Sequence, residues 1–191
     1  MKKIVILGPE STGKSTLCEQ LAAHFKSSWV PEYARTYLHG SGNQYRFEDL
    51  WEIAKGQMES EEVNGKWVVD SGERVEKSSS RNPQPATRNL PLFIDTDLYV
   101  IKIWSEISFN KCDNRILTHI ARSSYDLYLL CNTDLPWADD PLREYPDLHM
   151  RQKIYAYYED AMINQHIPWV SISGSYEERL NTAINAVNAV L

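Results

Sequence analysis

The sequence predicts a three-layer α/β fold, in which a five-stranded parallel sheet lies between helices. Short apolar runs alternate along the chain with segments of helical spacing, and this alternation is typical of βαβ units. The first apolar run, Lys2–Leu7, contains no regular polar positions after its lysines, so we expect a strand buried on both faces. The chain has 191 residues, 42% of them hydrophobic, which is enough for one core. We therefore expect one domain over residues 1–191.

Each strand is predicted from a short continuous apolar run, and each helix from apolar residues three or four positions apart. The first helix is predicted from Leu17, Leu21 and Phe25. Pro31 is expected to end the second strand. In chain order the expected elements are strand Lys2–Leu7, helix Leu17–Phe25, strand Trp29–Val30, helix Phe47–Val63, strand Leu92–Ile94, helix Leu98–Ile107, strand Asp126–Cys131, helix Leu148–Ile163, strand Trp169–Ile172 and helix Tyr176–Leu191.

Two stretches interrupt the alternation. Residues 64–91 contain two glycines, three consecutive serines and three prolines, which predicts a surface insertion, with a possible small strand at Lys66–Val69. Residues 133–147 contain three prolines and several charges, which predicts a mobile lid.

The charge and cysteine content exclude several classes of protein. The chain carries 26 acidic and 20 basic side chains, a formal charge of −6, which argues against binding nucleic acid through a broad basic face. Its three cysteines, Cys18, Cys112 and Cys131, are widely spaced and suggest reduced thiols. The apolar run Ile4–Leu7 is too short for a signal peptide, and no run reaches the length of a membrane helix. We expect a cytoplasmic protein without a membrane or nucleic-acid partner.

The segment between the first strand and the first helix carries a phosphate-binding motif. Gly8–Ser15 reads G-P-E-S-T-G-K-S and matches G-x-x-x-x-G-K-[ST], with a strand before it and a helix after it. Glycines let the backbone curl so that N–H groups point at phosphate oxygens, and the helix N-terminus adds its positive dipole end. The sequence therefore favours a P-loop NTPase-type fold over a turn with an incidental lysine. The expected nucleotide-binding residues are Gly8, Glu10, Ser11, Thr12, Gly13, Lys14, Ser15 and Thr16.

Within this motif, Lys14 is expected to bridge the β- and γ-phosphates of ATP, and Ser15 to ligate Mg²⁺. A second tetrapeptide, Asn110–Asp113, spells the guanine-reading pattern N-K-x-D. It follows a segment of helical spacing instead of a buried strand, so we interpret it as a chance match and not as the mark of a GTPase.

The strand Leu92–Ile94 ends in two acidic residues. In open α/β sheets ligands bind at the carboxyl edge of the strands, so Asp95 is a candidate Mg²⁺ ligand and Asp97 faces the same cleft. The alternative is that Asp95 caps the next helix, with Asp97 in its first turn.

Three further residues fit a kinase that transfers phosphate to a small molecule. Glu32 follows the second strand and is the first candidate for the general base, with Asp97 as its rival; a solvated surface role is the alternative. Arg35 is a candidate to bind a phosphate or an acidic neighbour, and a surface position is the alternative. Arg143 on the lid is a candidate to approach the transferred phosphate, and Trp137 either covers an aromatic substrate or anchors the lid.

Taken together, six segments resemble the ribosylnicotinamide kinase domain of NadR-type proteins over nearly the whole chain. These segments are G-P-E-S-T-G-K-S-T at Gly8–Thr16, W-V-P-E-Y-A-R at Trp29–Arg35, I-A-K-G-Q at Ile53–Gln57, D-T-D at Asp95–Asp97, Y-D-L-Y-L-L at Tyr125–Leu130 and P-W-A-D-D-P-L-R at Pro136–Arg143.

The resemblance implies transfer of phosphate from Mg·ATP to nicotinamide riboside, giving nicotinamide mononucleotide, a salvage step toward NAD. The candidate catalytic residues remain Lys14, Glu32, Asp97 and Arg143. The resemblance places the expected substrate-binding residues Glu32, Tyr33, Arg35, Gln57, Asp97 and Trp137 around the two substrates. NadR-type proteins often carry an adenylyltransferase domain and sometimes a DNA-binding domain. This sequence has room for neither, so we expect a stand-alone kinase. A kinase of another nucleoside or small metabolite, a nucleotide-dependent binding protein or slow ATPase, and a non-enzymatic relic of the fold are the alternatives.

Overall fold

The computed structural model describes residues 1–39, 44–73 and 90–191, with the backbone alone for residues 66–73. The described strands are β1 (Lys3–Leu7), β2 (Ser28–Val30), β3 (Leu92–Asp95), β4 (Leu127–Cys131) and β5 (Trp169–Ile172). The described helices are α1 (Lys14–Phe25), α2 (Tyr33–Leu38), α3 (Phe47–Glu73), α4 (Leu98–Phe109), α5 (Asn114–Arg122), α6 (Leu148–Ile163) and α7 (Tyr176–Asn188).

The strands form one sheet in the order β2-β3-β1-β4-β5, and every neighbouring pair is parallel. The central strand β1 therefore lies between β3 and β4, which follow it much later in the chain. A reversal of strand order of this kind opens a crevice at the carboxyl ends of the central strands. The predicted α/β fold with a five-stranded parallel sheet is confirmed.

Helices cover both faces of the sheet. Ile4 and Ile6 of β1 face one side and pack with residues of α1 and α7. Val5 and Leu7 face the other side and pack with residues of α4 and α6. All four side chains are completely buried, as expected for a strand covered on both faces. A third apolar cluster joins α3, α4 and α5 beside the sheet.

The helices differ from the prediction in three places. The short helices α2 and α5 were not expected, and each buries only one apolar residue completely or nearly so, Leu38 and Ile116. The strand proposed at Lys66–Val69 is wrong, because α3 continues through it to Glu73. No proline interrupts α3, and once a helix has formed its first turn each added residue gains one hydrogen bond for the one residue whose backbone is fixed. Residues 74–89 of the predicted insertion lie outside the described residues.

The structure confirms that the N-K-x-D tetrapeptide at Asn110–Asp113 does not follow a buried strand. Asn110 is the C-cap of α4 in a left-handed conformation, and Asp113 is the N-cap of α5. The tetrapeptide is thus a connection between two helices. Among the helices of the described ranges, none combines the length and apolarity that crossing a lipid bilayer requires.

Candidate active site

The turn from β1 to α1, residues 8–15, is called the phosphate loop below. Gly8 has φ 139°, and a Cβ there would lie 2.6 Å from the carbonyl oxygen of Cys131 in β4, so the position requires glycine. Gly13 has φ 77° and is the N-cap of α1. The N-terminus of α1 thus faces a cavity that is lined by all of residues 8–16, including the eight predicted nucleotide-binding residues. A helix N-terminus with curled backbone around it can bind an anion.

The side chains of Lys14 and Thr12 stabilise the phosphate loop. Lys14 Nζ donates a hydrogen bond to the carbonyl oxygen of Pro9 at 2.8 Å, and Thr12 Oγ1 donates to the same oxygen at 2.7 Å. Lys14 also lines the cavity, so its ammonium group is held above the loop. An ammonium group has three N–H donors, and the contact with Pro9 uses one of them.

Asp95 lies at the end of β3, next to the phosphate loop. Ser15 Oγ donates to Asp95 Oδ2 at 2.5 Å, whereas Asp95 Oδ1 is buried with no hydrogen-bond partner in the part of the chain that the structure describes. Burial and the negative charge of Glu32 raise the pKa of Asp95 to about 6. An unpartnered buried carboxylate oxygen is costly, and it indicates a group that a ligand would satisfy.

The donors at this point fit Mg²⁺. A hydroxyl and a carboxylate supply the hard oxygen ligands that Mg²⁺ prefers, and this ion commonly keeps several waters and takes its remaining ligands from phosphates. In the described ranges no group of three or more His, Cys, Asp or Glu side chains is placed to hold a metal by itself. Ser15 and Asp95, which the sequence predicts as Mg²⁺ ligands, are in contact with each other, and their role as ligands stays a prediction.

Glu32 and Arg35 lie across the cavity from the phosphate loop. Glu32 is the N-cap of α2, and both residues line the cavity. Arg35 Nε is 3.4 Å from Glu32 Oε2, and Arg35 Nη1 donates to Asp140 Oδ2 at 2.8 Å. Arg35 therefore links the carboxylate of Glu32 to the lid segment, residues 133–147.

Asp97 lies deeper than Glu32 and takes part in the internal structure. It is the N-cap of α4, accepting from the amide of Tyr99 at 3.0 Å, and Tyr128 Oη donates to its other oxygen at 3.1 Å. Burial, together with the negative charge of Glu61, raises the pKa of Asp97 to about 7. The helix cap that we considered for Asp95 is thus formed by Asp97.

Gln57 connects three elements beneath the cavity. Its side chain accepts from the amide of Tyr33 at 2.8 Å and donates to the carbonyl oxygen of Thr96 at 3.1 Å. It thereby fixes the start of α2 against the end of β3. Four of the predicted substrate-binding or catalytic residues are not among the described residues that line the cavity: Tyr33, Gln57, Asp97 and Trp137.

The lid contacts the phosphate loop directly. The amides of Glu144 and Tyr145 donate to Glu10 Oε2 at 2.9 and 3.0 Å, and the amide of Ala138 donates to Ser11 Oγ at 2.8 Å. Arg143 lines the cavity and lies 3.5 Å from Ser11 Oγ. The lid thus covers the loop by hydrogen bonds from its own backbone.

Trp137 lies between two arginines on the lid side. The guanidinium groups of Arg143 and Arg151 are 5.8 and 5.5 Å from the centre of its ring, within range of a cation–π contact. Trp137 Nε1 donates to Asp139 Oδ1 at 2.9 Å. These contacts are the ones expected of a residue that anchors the lid.

The far wall of the cavity is apolar and was not predicted. Val100, Ile103, Trp104 and Ile107 of α4 line it together with Tyr158 of α6. The apolar spacing of α4 is visible in the sequence, but the sequence contains no signal for which of these side chains face the crevice. The phosphate loop and this apolar surface therefore line one cavity.

A family model matches this chain and shows the family to which it belongs. A model described as an AAA domain matches residues 3–179, which is most of the chain.

The chain belongs to this AAA domain family.

Within the AAA domain family the chain is similar to NadR. It is 23% identical over 196 residues to the trifunctional NAD biosynthesis/regulator protein NadR of Escherichia coli (strain K12), covering 100% of this chain and 43% of that protein. A solved structure of NadR in complex with NR has a TM-score of 0.70 and 21% identity, covering 99% of this chain and 49% of the other. A second NadR structure, with NAD and AMP-PNP, has a TM-score of 0.67, 21% identity and the same coverage. The chain thus spans less than half the length of these NadR chains.

The same fold occurs in a nucleoside kinase. Deoxyadenosine kinase from M. mycoides, solved with bound dATP, has a TM-score of 0.56 and 13% identity, covering 98% of this chain and 100% of that one. At this identity the likeness establishes the fold, which is that of the P-loop kinases related to NadR and to nucleoside kinases.

One residue near the phosphate loop was missed entirely. Arg179 of α7 is 3% exposed, and its guanidinium donates to the carbonyl oxygen of Thr12 at 3.0 Å. The sequence did contain a signal, because Arg179 shares a helical stripe with Ala183 and Val187, both fully buried. A charged residue on an apolar stripe indicates a buried polar contact.

Proposed function

We propose that this chain is an ATP- and Mg²⁺-dependent kinase that phosphorylates the primary hydroxyl of nicotinamide riboside. One observation carries the proposal: a single cavity joins the phosphate loop, the carboxylate of Glu32 and the apolar wall around Trp104. Such a cavity suits a triphosphate at one end and a riboside with a flat ring at the other. The reaction would be cytoplasmic.

The similarity to NadR supports this choice of acceptor. A NadR structure with a TM-score of 0.70 contains NR, and another contains AMP-PNP, an ATP analogue. Three of the segments that carry the resemblance contribute residues to the lining of the cavity: Gly8–Thr16, Trp29–Arg35 and Pro136–Arg143. The proposal concerns phosphoryl transfer alone.

The phosphate loop would hold the terminal phosphates of ATP. Backbone N–H groups of residues 9–15 and the ammonium of Lys14 would surround the phosphate oxygens, as in other P-loop enzymes. Ser15 and Asp95 would hold Mg²⁺, which when bound supplies neutralisation of the charge that develops on the phosphates. Asp95 Oδ1, which has no hydrogen-bond partner among the described residues, would then have one.

Glu32 is the better placed of the two candidate bases. It lines the cavity, whereas Asp97 caps α4 and is hydrogen-bonded to Tyr128. A base must come within about 3 Å of the hydroxyl whose proton it takes. Glu32 would accept this proton while the hydroxyl oxygen bonds to the γ-phosphorus and the bond to ADP breaks. Asp97 would hold α4 in place and would not touch the hydroxyl.

Arg143 would complete the charge around the transferred phosphate. It lines the cavity beside Ser11 of the phosphate loop, and the lid that carries it is tied to that loop. A cation on a closing segment excludes water and stabilises the transferred group at the same time. Arg35 would position Glu32, since it lies between Glu32 and Asp140.

The test is a steady-state assay of ADP formation with Mg·ATP over a panel of ribosides: nicotinamide riboside, adenosine, deoxyadenosine and thymidine. We expect kcat/KM to be highest for nicotinamide riboside. Equal or faster turnover of another nucleoside would contradict the acceptor and leave the kinase chemistry intact. ADP formation that no riboside accelerates would indicate a nucleotide-dependent binding protein or slow ATPase.

The same assay distinguishes the two candidate bases. We expect Glu32→Gln to lower kcat by about a hundredfold or more, the usual contribution of a general base. Asp97→Asn should lower kcat much less, because its contacts are structural. The reverse order would show that Asp97 is the base.

A further inference from the structure

Arg179 joins three separate segments at the carboxyl edge of the sheet. Its Nη1 donates to the carbonyl oxygen of Thr12 at 3.0 Å, its Nη2 to that of Asn132 at 3.0 Å, and its Nε to that of Gly174 at 2.9 Å. These oxygens belong to the phosphate loop, to the end of β4 and to the turn between β5 and α7. One buried guanidinium therefore fixes the relative positions of all three.

The position of this guanidinium is itself fixed by Asp134. One carboxylate oxygen of Asp134 accepts from Arg179 Nη2, and the other accepts from the amide of Gly174 at 2.6 Å. The pairing offsets the cost of burying the positive charge of Arg179. It also leaves the guanidinium little freedom to rotate, since its donors are used in several directions.

The contact with Thr12 has a consequence for the neighbouring amide. In a trans peptide the carbonyl oxygen and the following N–H point in opposite directions. Arg179 holds the oxygen of Thr12 toward α7, so the N–H of Gly13 points away from α7; Gly13 itself lines the cavity. Gly13, at φ 77°, tolerates this orientation. Rotation of this peptide would turn an oxygen toward the phosphates in place of a donor.

We infer that Arg179 is a positioning residue for the nucleotide, because its hydrogen bond to the Thr12 carbonyl keeps the Gly13 N–H directed at the terminal phosphates. The inference rests on the proposed function, which places a nucleotide in the phosphate loop. It goes beyond that proposal by assigning a role to a residue of α7 that touches no substrate.

The experiment compares Arg179→Lys and Arg179→Met with the wild-type chain. Lysine keeps the charge facing Asp134 but has one ammonium group, which cannot reach all three carbonyl oxygens. We expect the Kd for Mg·AMP-PNP, measured by calorimetry, to rise about tenfold or more in both variants, the usual cost of a lost hydrogen bond to a charged group. The KM for nicotinamide riboside should change less than twofold. Arg115→Met, which removes an exposed ion pair with Asp113, serves as the control and should change neither.

If Arg179 only stabilised the fold, the unfolding midpoint and the Kd would change in a different pattern. In that case the midpoint of unfolding without nucleotide would fall while the Kd for Mg·AMP-PNP stayed at the wild-type value, and the inference would be overturned. If Arg179→Met does not fold, Arg179→Lys and Asp134→Asn decide by the same two readouts. Failure of the wild-type chain to bind Mg·AMP-PNP would instead overturn the proposed function, so the two failures are distinguishable.

Discussion

Asp95 and Asp97 are two positions apart in sequence, yet their surroundings differ. Asp95 contacts Ser15 of the phosphate loop, and its other oxygen has no hydrogen-bond partner within residues 1–39, 44–73 and 90–191. Asp97 is enclosed by α4 and by Tyr128 of β4, and all its contacts are internal. The first arrangement leaves a ligand position on the carboxylate, and the second uses the carboxylate to hold the fold. The two aspartates therefore give different predictions.

Lys14→Ala tests the phosphate loop at a single side chain. We expect kcat to fall by about a hundredfold or more, because the variant lacks a charge that stabilises the transferred phosphate. The midpoint of thermal unfolding should stay close to that of the wild-type chain, since Lys14 lies at the cavity and not in the core. The measurement is steady-state turnover with nicotinamide riboside, with Lys55→Ala on the surface of α3 as the control. Near-normal turnover would contradict the role of Lys14.

Asp97 makes stability depend on pH. Its folded-state pKa is about 7, well above the ordinary 3.8, so the folded chain keeps a proton that the unfolded chain loses between about pH 4 and pH 7. The free energy of unfolding should therefore fall as the pH rises through this window and level off above it. Asp95, with a pKa of about 6, contributes in the same direction over a narrower range.

Asp97→Asn isolates the contribution of Asp97. The amide cannot ionise and still accepts from Tyr99, so the loss of stability between pH 5 and pH 8 should be smaller than in the wild-type chain. The difference in slope has an upper limit of about 1.4 kcal/mol per pH unit, the value for one proton. Urea unfolding at pH 5, 6, 7 and 8 with a chelator present measures it. Parallel pH profiles for the two proteins would contradict the assignment.

At the scale of the elements, α2 is held against α3 by a glycine. A Cβ at Gly56 would lie 2.1 Å from the ring of Tyr33, so this ring packs directly on the backbone of α3. Tyr33 follows Glu32 in the chain. The close approach of the two helices thus sets the position of the proposed base.

Gly56→Ala should push α2 away from α3. We expect the free energy of unfolding to fall by about 1–3 kcal/mol, the usual cost of overpacking, and kcat to fall with it because Glu32 moves. Gly65→Ala on the same helix is the matched control, since its nearest neighbour, Met1 Cε at 3.2 Å, is the end of a flexible side chain. That variant should be neutral or gain up to about 1 kcal/mol from helix propensity. The measurements are urea unfolding and turnover of both variants. Equal effects of Gly56→Ala and Gly65→Ala would contradict the packing of Tyr33 on the backbone of α3.

Backbone hydrogen bonds tie the lid to the phosphate loop. Three lid amides donate to Glu10 and Ser11 of the phosphate loop, and Arg35 pairs with Asp140 from the opposite side. Hydrogen bonds of this kind are individually weak and exchange readily with water. Contacts of this kind suit a segment that must open for substrates and close over them.

At the scale of the whole molecule, the sequence was most informative where several residues share one physical constraint. The continuous apolar run of β1 requires burial on both faces, and the glycines of residues 8–13 require a tight turn, so the sheet and the phosphate loop followed. The short helices α2 and α5 were missed because each buries only one apolar side chain. A pattern of apolar positions cannot detect an element with so few of them.

The contacts that depend on tertiary packing were not predictable from local pattern. Arg179 and Arg151 are charged residues on helices, where the surface is the usual place, yet both are 3% exposed. The difference in position between Glu32 and Asp97 also depends on packing, because only the fold shows which carboxylate faces the cavity. The sequence predicts which segments meet at the carboxyl edge of the sheet, whereas the contacts of each side chain there depend on tertiary packing.

The central claim is that the phosphate loop, Asp95 and Glu32 surround one reacting centre. A crystal structure of the chain with Mg²⁺, AMP-PNP and nicotinamide riboside tests it most directly. We predict the terminal phosphate in the phosphate loop, Mg²⁺ at Ser15 and Asp95, and the riboside's primary hydroxyl beside Glu32, about 3–3.5 Å from the terminal phosphorus. A nucleotide bound elsewhere, or a riboside hydroxyl that faces away from Glu32 and the phosphates, would contradict the account.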